Sequence, residues 1–235
     1  MAIERRRVAA VPRVPGAAPW WLVGLAALVL VLTTIDVANR GALTDFDDAV
    51  SRRMIDWDLR HNAVIRPVMH VLVLFGQRGV VLAITVPVIC YLTWRSRRSE
   101  FALRFVLALI TLTIAVYAIK IAVPRYAPLA TSTSDRQESY PSGHLPNAIL
   151  VWGVVTWCAL RAQAPIVVSR ALRAIRAIAP GAVVVGMTVL DYHWISDFIA
   201  GACIGILLLP VVLFPAWGDL AARIDRRLAA RSTVR

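Results

Sequence analysis

Three separated stretches hold most of the chemistry this chain can offer. They are Lys120, Ser142-Gly143-His144 within S-Y-P-S-G-H-L-P-N (139–147), and His193 with Asp197 within D-Y-H-W-I-S-D (191–197). His193 and Asp197 stand four apart, so on a helix they share a face. The carboxylate can then hold one ring nitrogen and leave the other as nucleophile or base. Ser142-Gly143-His144 opens an apolar run, where the unpaired N–H groups and positive dipole end of a new helix favour a phosphate. Gly143 lets an anion approach the backbone, Ser142 can cap the helix or donate to a phosphate oxygen, and Pro146 fits the first turn. Lys120 is the single lysine among 26 basic residues. Taken singly, each part has a plainer use: an interfacial anchor, a cap, a His–Asp tie between helices. Together they are the parts of a phosphoryl-transfer site, with one histidine to attack phosphorus, one to protonate the leaving oxygen, and a cationic and backbone cradle. Such a site asks for no metal and no cofactor. Ser142, His193 and Asp197 would also suit a Ser-His-Asp hydrolase, but the G-x-S-x-G elbow is missing.

These residues must be positioned by membrane helices. At 235 residues, 59% hydrophobic and positive in mean hydropathy, the chain reads as one membrane-embedded unit, residues 1–235. Apolar segments at 18–35, 80–94, 101–121, 145–160, 178–190 and 194–214 predict an all-α bundle of six transmembrane helices. Residues 64–75 are also apolar but are cut off by Gly76-Gln77-Arg78-Gly79, which reads as an interfacial helix followed by a turn. Residues 41–61 place Phe46, Val50, Met54, Trp57 and His61 at helical spacing, as in an amphipathic helix on the outer surface. The 122–143 connection carries Pro124, Pro128, Pro141 and a Ser/Thr run, and long connections of this kind are often functional.

Charge sets the orientation. Six spans leave 16 basic residues and four acids on the side of both termini, against nine basic and ten acidic on the other. The positive-inside rule makes residues 1–17 a cytoplasmic N-terminal segment and 215–235 a basic cytoplasmic tail, with all three clusters on the extracytoplasmic side of the plasma membrane. Arg104 is expected to snorkel to the inner face. This distribution accounts for the net +12, so a nucleic-acid partner is not expected. Cys90, Cys158 and Cys203 fall within spans as small buried hydrophobes. The basic start and apolar core of residues 1–35 lack an A-x-A site and predict an uncleaved first span. Gly201 and Gly205 have the spacing of a close helix contact. Oligomeric state is not legible.

The motifs resemble those of the type 2 phosphatidic acid phosphatase superfamily, which also includes bacterial isoprenyl-diphosphate phosphatases and vanadium haloperoxidases. Its pattern is K-x6-R-P, then P-S-G-H, then S-R-x5-H-x3-D, and the resemblance runs from about Lys120 to Gly201. It implies that His193 forms a phosphohistidine, Asp197 orients it, and His144 is the general acid that later activates water. It also implies that Lys120, Ser142 and the Gly143 amide bind phosphate oxygens. The chain departs at two arginines, with Ala127 in place of the first and Gly186-Met187 in place of Ser-Arg. Each missing contact is of a kind worth about 1.5–3 kcal/mol. Arg125 is the nearest replacement and Arg136 a second, and an Arg125–Asp191 pair would reconcile the extra acid near the nucleophile. The implied activity is hydrolysis of a lipid phosphate or diphosphate at the outer leaflet. The alternatives are a lipid phosphotransferase using the same histidines and a non-catalytic head-group binder.

Overall fold

The computed structural model describes residues 19–129 and 138–232. Residues 1–17, Arg136 and the Ser/Thr run of the long connection lie outside the described residues. Within them the chain forms α1 (Trp20–Ala38), α2 (Ala42–Trp57), a single 3-10 turn (Leu59–His61), α3 (Ile65–Leu74), α4 (Arg78–Ser96) and α5 (Glu100–Ala122). After the long connection come α6 (His144–Arg161), α7 (Ile166–Val189), α8 (Ile195–Val212) and α9 (Pro215–Ser232). The expected all-α architecture is what forms. Five helices, α1, α4, α5, α7 and α8, are long and apolar enough to cross a membrane. The 18-residue α6 carries His144, Pro146 and Asn147 in its first turn and falls short of that apolar content.

The bundle is organised around α6. Every residue from Leu145 to Ala159 except Ile149 is buried, as a helix apolar on all sides requires. It packs against α4, α5, α7 and α8. The α8 contact is close because Gly201 and Gly205 have no side chain: a Cβ on either would lie 2.9 Å from Pro146 or Ile149 of α6. The glycine spacing thus does what the sequence predicts of it.

Four elements differ from expectation. α7 begins at Ile166, so much of the expected inner connection is helix; Arg170, Arg173 and Arg176 lower its apolarity without breaking it. Residues 215–232 are helical, and α9 docks on the start of α5 through Ser99 Oγ, which donates to the Ala221 carbonyl at 3.3 Å. Arg104 does not snorkel. It is buried, paired to Glu100 at 2.8 Å, donating to the Val212 and Phe214 carbonyls, and stacked 4.6 Å from the Trp157 ring. Buried acceptors at the end of α8 hold it more firmly than the interface would. Cys158 and Cys203 are buried, but Cys90 is exposed.

The 64–75 segment forms α3, and its packing explains one departure from the family pattern. A Cβ on Gly186 of α7 would lie 2.8 Å from the Met69 carbonyl and 3.2 Å from Leu72 Cβ, so glycine is what lets α3 press onto α7. Beside it, Met187 is 2% exposed in the core. Restoring the family's serine by Gly186→Ser is therefore expected to destabilise the fold by about 1–3 kcal/mol. A lowered thermal midpoint in detergent checks this, and an unchanged midpoint refutes it.

Candidate active site

The short turn from α7 to α8 delivers His193. Its Nδ1 is 2.9 Å from Asp197 Oδ2, and the same oxygen accepts the Trp194 N–H at 3.1 Å. One carboxylate atom thus caps α8 and fixes the imidazole, which leaves Nε2 for the cavity. His144 opens α6, and its ring lies edge-on to His193 with centroids 5.7 Å apart. Lys120, in the last turn of α5, donates to the Glu138 carbonyl. Lys120, Gly143, His144 and His193 line one cavity of about 280 Å³. A Cβ on Gly143 would meet nothing nearer than Val116, at 4.0 Å, so the backbone there faces open space. Three clusters read from distant stretches are gathered at one site, with the two imidazoles close enough to face one phosphorus atom.

Ser142 and Arg125 do not line this cavity. Ser142 is fully buried; its Oγ accepts the His144 N–H at 3.3 Å and its own N–H donates to the Asp197 carbonyl at 3.1 Å. It therefore ties the start of α6 to the start of α8. Arg125 donates from Nη1 to Asp47 Oδ2 at 2.8 Å and to Ser196 Oγ at 2.6 Å, and stacks 4.6 Å from the Trp194 ring. The expected Arg125–Asp191 pair is overturned. Asp47 is 1% exposed and also accepts the Ser196 N–H at 3.0 Å, so this buried carboxylate claims the guanidinium. Arg125 Nη1 also stands 4.0 Å from Asp197 Oδ1, a buried oxygen with no hydrogen-bond partner. Its charge supports Asp197 from behind.

Asp191 takes Ser51 instead, whose Oγ donates to Oδ2 at 3.1 Å. Burial raises the Asp191 pKa, opposed by the Ser51 hydrogen bond and by Arg60. Two polar residues of α2, the acceptor Asp47 and the donor Ser51, explain its orientation. They are the buried pair, while Phe46 and Trp57 are 53% and 57% exposed, so the protein-facing stripe of α2 is polar. In the loop before α6, Tyr140 pairs with Thr34 at 2.8 Å, and burial is the main cause of its pKa being pushed up to about 12.

Sequence reasoning missed Asp47, Ser196 and Arg78, the last of which also lines the cavity. It missed the α3–α4 elbow as well. Asn147 Nδ2 and Trp152 Nε1 donate at 2.9 Å to the Gly76 and Phe75 carbonyls, and a Cβ on Gly76 would lie 2.6 Å from the His144 carbonyl. The elbow is thereby pressed against the residue that opens α6. Among the described residues no three His, Cys, Asp or Glu side chains gather as a metal-binding group.

Apolar membrane-length helices around a cavity bearing a lysine and two histidines make this a multi-pass membrane protein. The PAP2 superfamily pattern matches residues 101–217, about half of the chain and all of the gathered motifs. The chain belongs to the PAP2 superfamily. Among solved structures it is similar to the first transmembrane PAP2-type phosphatidylglycerolphosphate phosphatase from Bacillus subtilis, with a TM-score of 0.67 and 20% identity over 81% of this chain and 94% of that one. No curated protein sequence matches it.

Proposed function

We propose that this protein hydrolyses a lipid phosphate or diphosphate through a phosphohistidine, with no metal step. The observation that carries the reading is the two imidazoles, 5.7 Å apart, sharing one cavity with Lys120. His193 Nε2 attacks phosphorus as the bond to the lipid oxygen breaks, and His144 gives that oxygen its proton. Water then attacks the phosphohistidine, His144 takes the proton of the water, and inorganic phosphate leaves. Lys120 and the Gly143 amide hold the non-bridging oxygens, where negative charge concentrates. Asp197 steadies the imidazolium that attack creates. Ser142 acts here through the first turn of α6, and Arg125 acts through Asp197.

In this reading α6 crosses the membrane with the other five helices, both termini are cytoplasmic, and the cavity faces the outer side of the plasma membrane. The test is phosphate release from a panel of lipid mono- and diphosphates by the detergent-purified protein, with His144→Ala alongside. Release by the wild type that drops by about 10²–10⁴-fold in the variant supports the reading. Release from no lipid would refute it in favour of a head-group binder, and transfer of the phosphoryl group to an added alcohol in place of water would favour a transferase.

A further inference from the structure

Arg78 is the first residue of α4 and lines the same cavity as Lys120, His144 and His193. Its Nη2 donates to Thr113 Oγ1 and, at 3.4 Å, to the Leu109 carbonyl of α5. Leu109 and Thr113 each stand nine residues from an end of α5, roughly 14 Å of helix on either side. The guanidinium therefore lies near the mid-depth of a membrane-length helix.

A cation there has to be accounted for. Arginine keeps its proton in any protein environment, and an ionised side chain far from the interface is costly unless it finds a partner. None of the ion pairs of His61, Arg104, Arg125 and His193 supplies a carboxylate to Arg78. Its two acceptors are neutral. The position is nonetheless built: the Phe75 and Gly76 carbonyls just before it are held by Trp152 and Asn147, and Gly76 abuts His144.

The cavity also has a direction. Tyr117, 56% exposed, and Arg78, likewise exposed, line it and reach the flank of the bundle between α4 and α5. That flank is where an apolar tail would leave. Thr113, Tyr117 and Lys120 lie on one face of α5, and the seven-residue step from Thr113 to Lys120 spans roughly 10 Å. Two cations thus stand at two depths of one cavity, Lys120 at the helix end and Arg78 on the tail side.

We propose that Arg78 is a specificity-determining residue that binds a second phosphate, set between the scissile phosphate and the apolar tail. The preferred substrate is then a lipid with two phosphates, either a diphosphate or a terminal phosphomonoester spaced from a phosphodiester. This rests on the phosphatase reading above. It also gives the chain a guanidinium in the cavity where Ala127 and Met187 supply none.

The experiment compares kcat and KM of wild type, Arg78→Gln and Arg78→Lys, full-length in detergent micelles, on phosphatidic acid, farnesyl diphosphate and phosphatidylglycerol phosphate. Wild type is expected to prefer at least one of the two-phosphate lipids. In Arg78→Gln the ratio of kcat/KM for that lipid to kcat/KM for phosphatidic acid falls about tenfold or more, through KM, and Arg78→Lys restores part of it. The lipid that responds identifies which spacing of phosphates is read. An unchanged ratio, or equal losses on all three lipids, overturns the proposal and leaves Arg78 a structural residue. Failure of the wild type on all three overturns the phosphatase reading together with it, whereas an active enzyme with unaltered selectivity overturns only the role of Arg78.

Discussion

Phosphate release is expected to fall by roughly 10⁴-fold or more when His193 becomes alanine. No other side chain is placed to replace its Nε2. His144 is the nearest imidazole, but it opens a different helix and no carboxylate is shown holding its ring, whereas His193 is clamped by Asp197 at 2.9 Å. The same substitution should abolish acid-labile labelling of the protein by a lipid carrying radioactive phosphate, because the covalent intermediate cannot form. Retention of more than a tenth of wild-type turnover by a folded His193→Ala variant would remove His193 from the chemistry.

Asp197→Asn is expected to slow turnover by about 10²–10⁴-fold with little change in KM. Oδ2 accepts from both the His193 ring and the Trp194 N–H, and α8 directs its positive end at the carboxylate. An amide keeps the volume and loses the charge that steadies an imidazolium. Because the two residues act as one unit, the double variant should be no slower than His193→Ala alone. A loss below about fivefold in kcat for Asp197→Asn, with an unchanged thermal midpoint, would reduce the pair to a tie between helices.

The sequence made these residues legible because their types are scarce and their neighbours informative. One lysine, a Ser-Gly-His at the mouth of an apolar run and a His–Asp pair at helical spacing need no tertiary information to be noticed. Charge asymmetry then proposed a common side for them. What the sequence could not carry was packing between distant segments. Arg78 read as part of a turn because its depth depends on α3 settling against Gly186, more than a hundred residues away. Arg125 read as a phosphate ligand because Asp47, which claims it, sat among the polar residues of an apparently ordinary amphipathic helix. The start of α7 was missed because three arginines mask a helix that composition alone reads as a loop.

The enclosure of α6 sets where this scaffold can adapt. α6 is walled by four neighbouring helices and pinned through Asn147 and Trp152 at the Gly76 and Phe75 carbonyls, so any tilt that moved His144 would disturb all of them together. Repacking such a centre for a new head group is thermodynamically steep, whereas Tyr117 and Arg78, at the rim of the cavity, are exposed. Divergence among relatives, and any attempt to breed altered selectivity, should accumulate at that rim while the imidazole pair stays put.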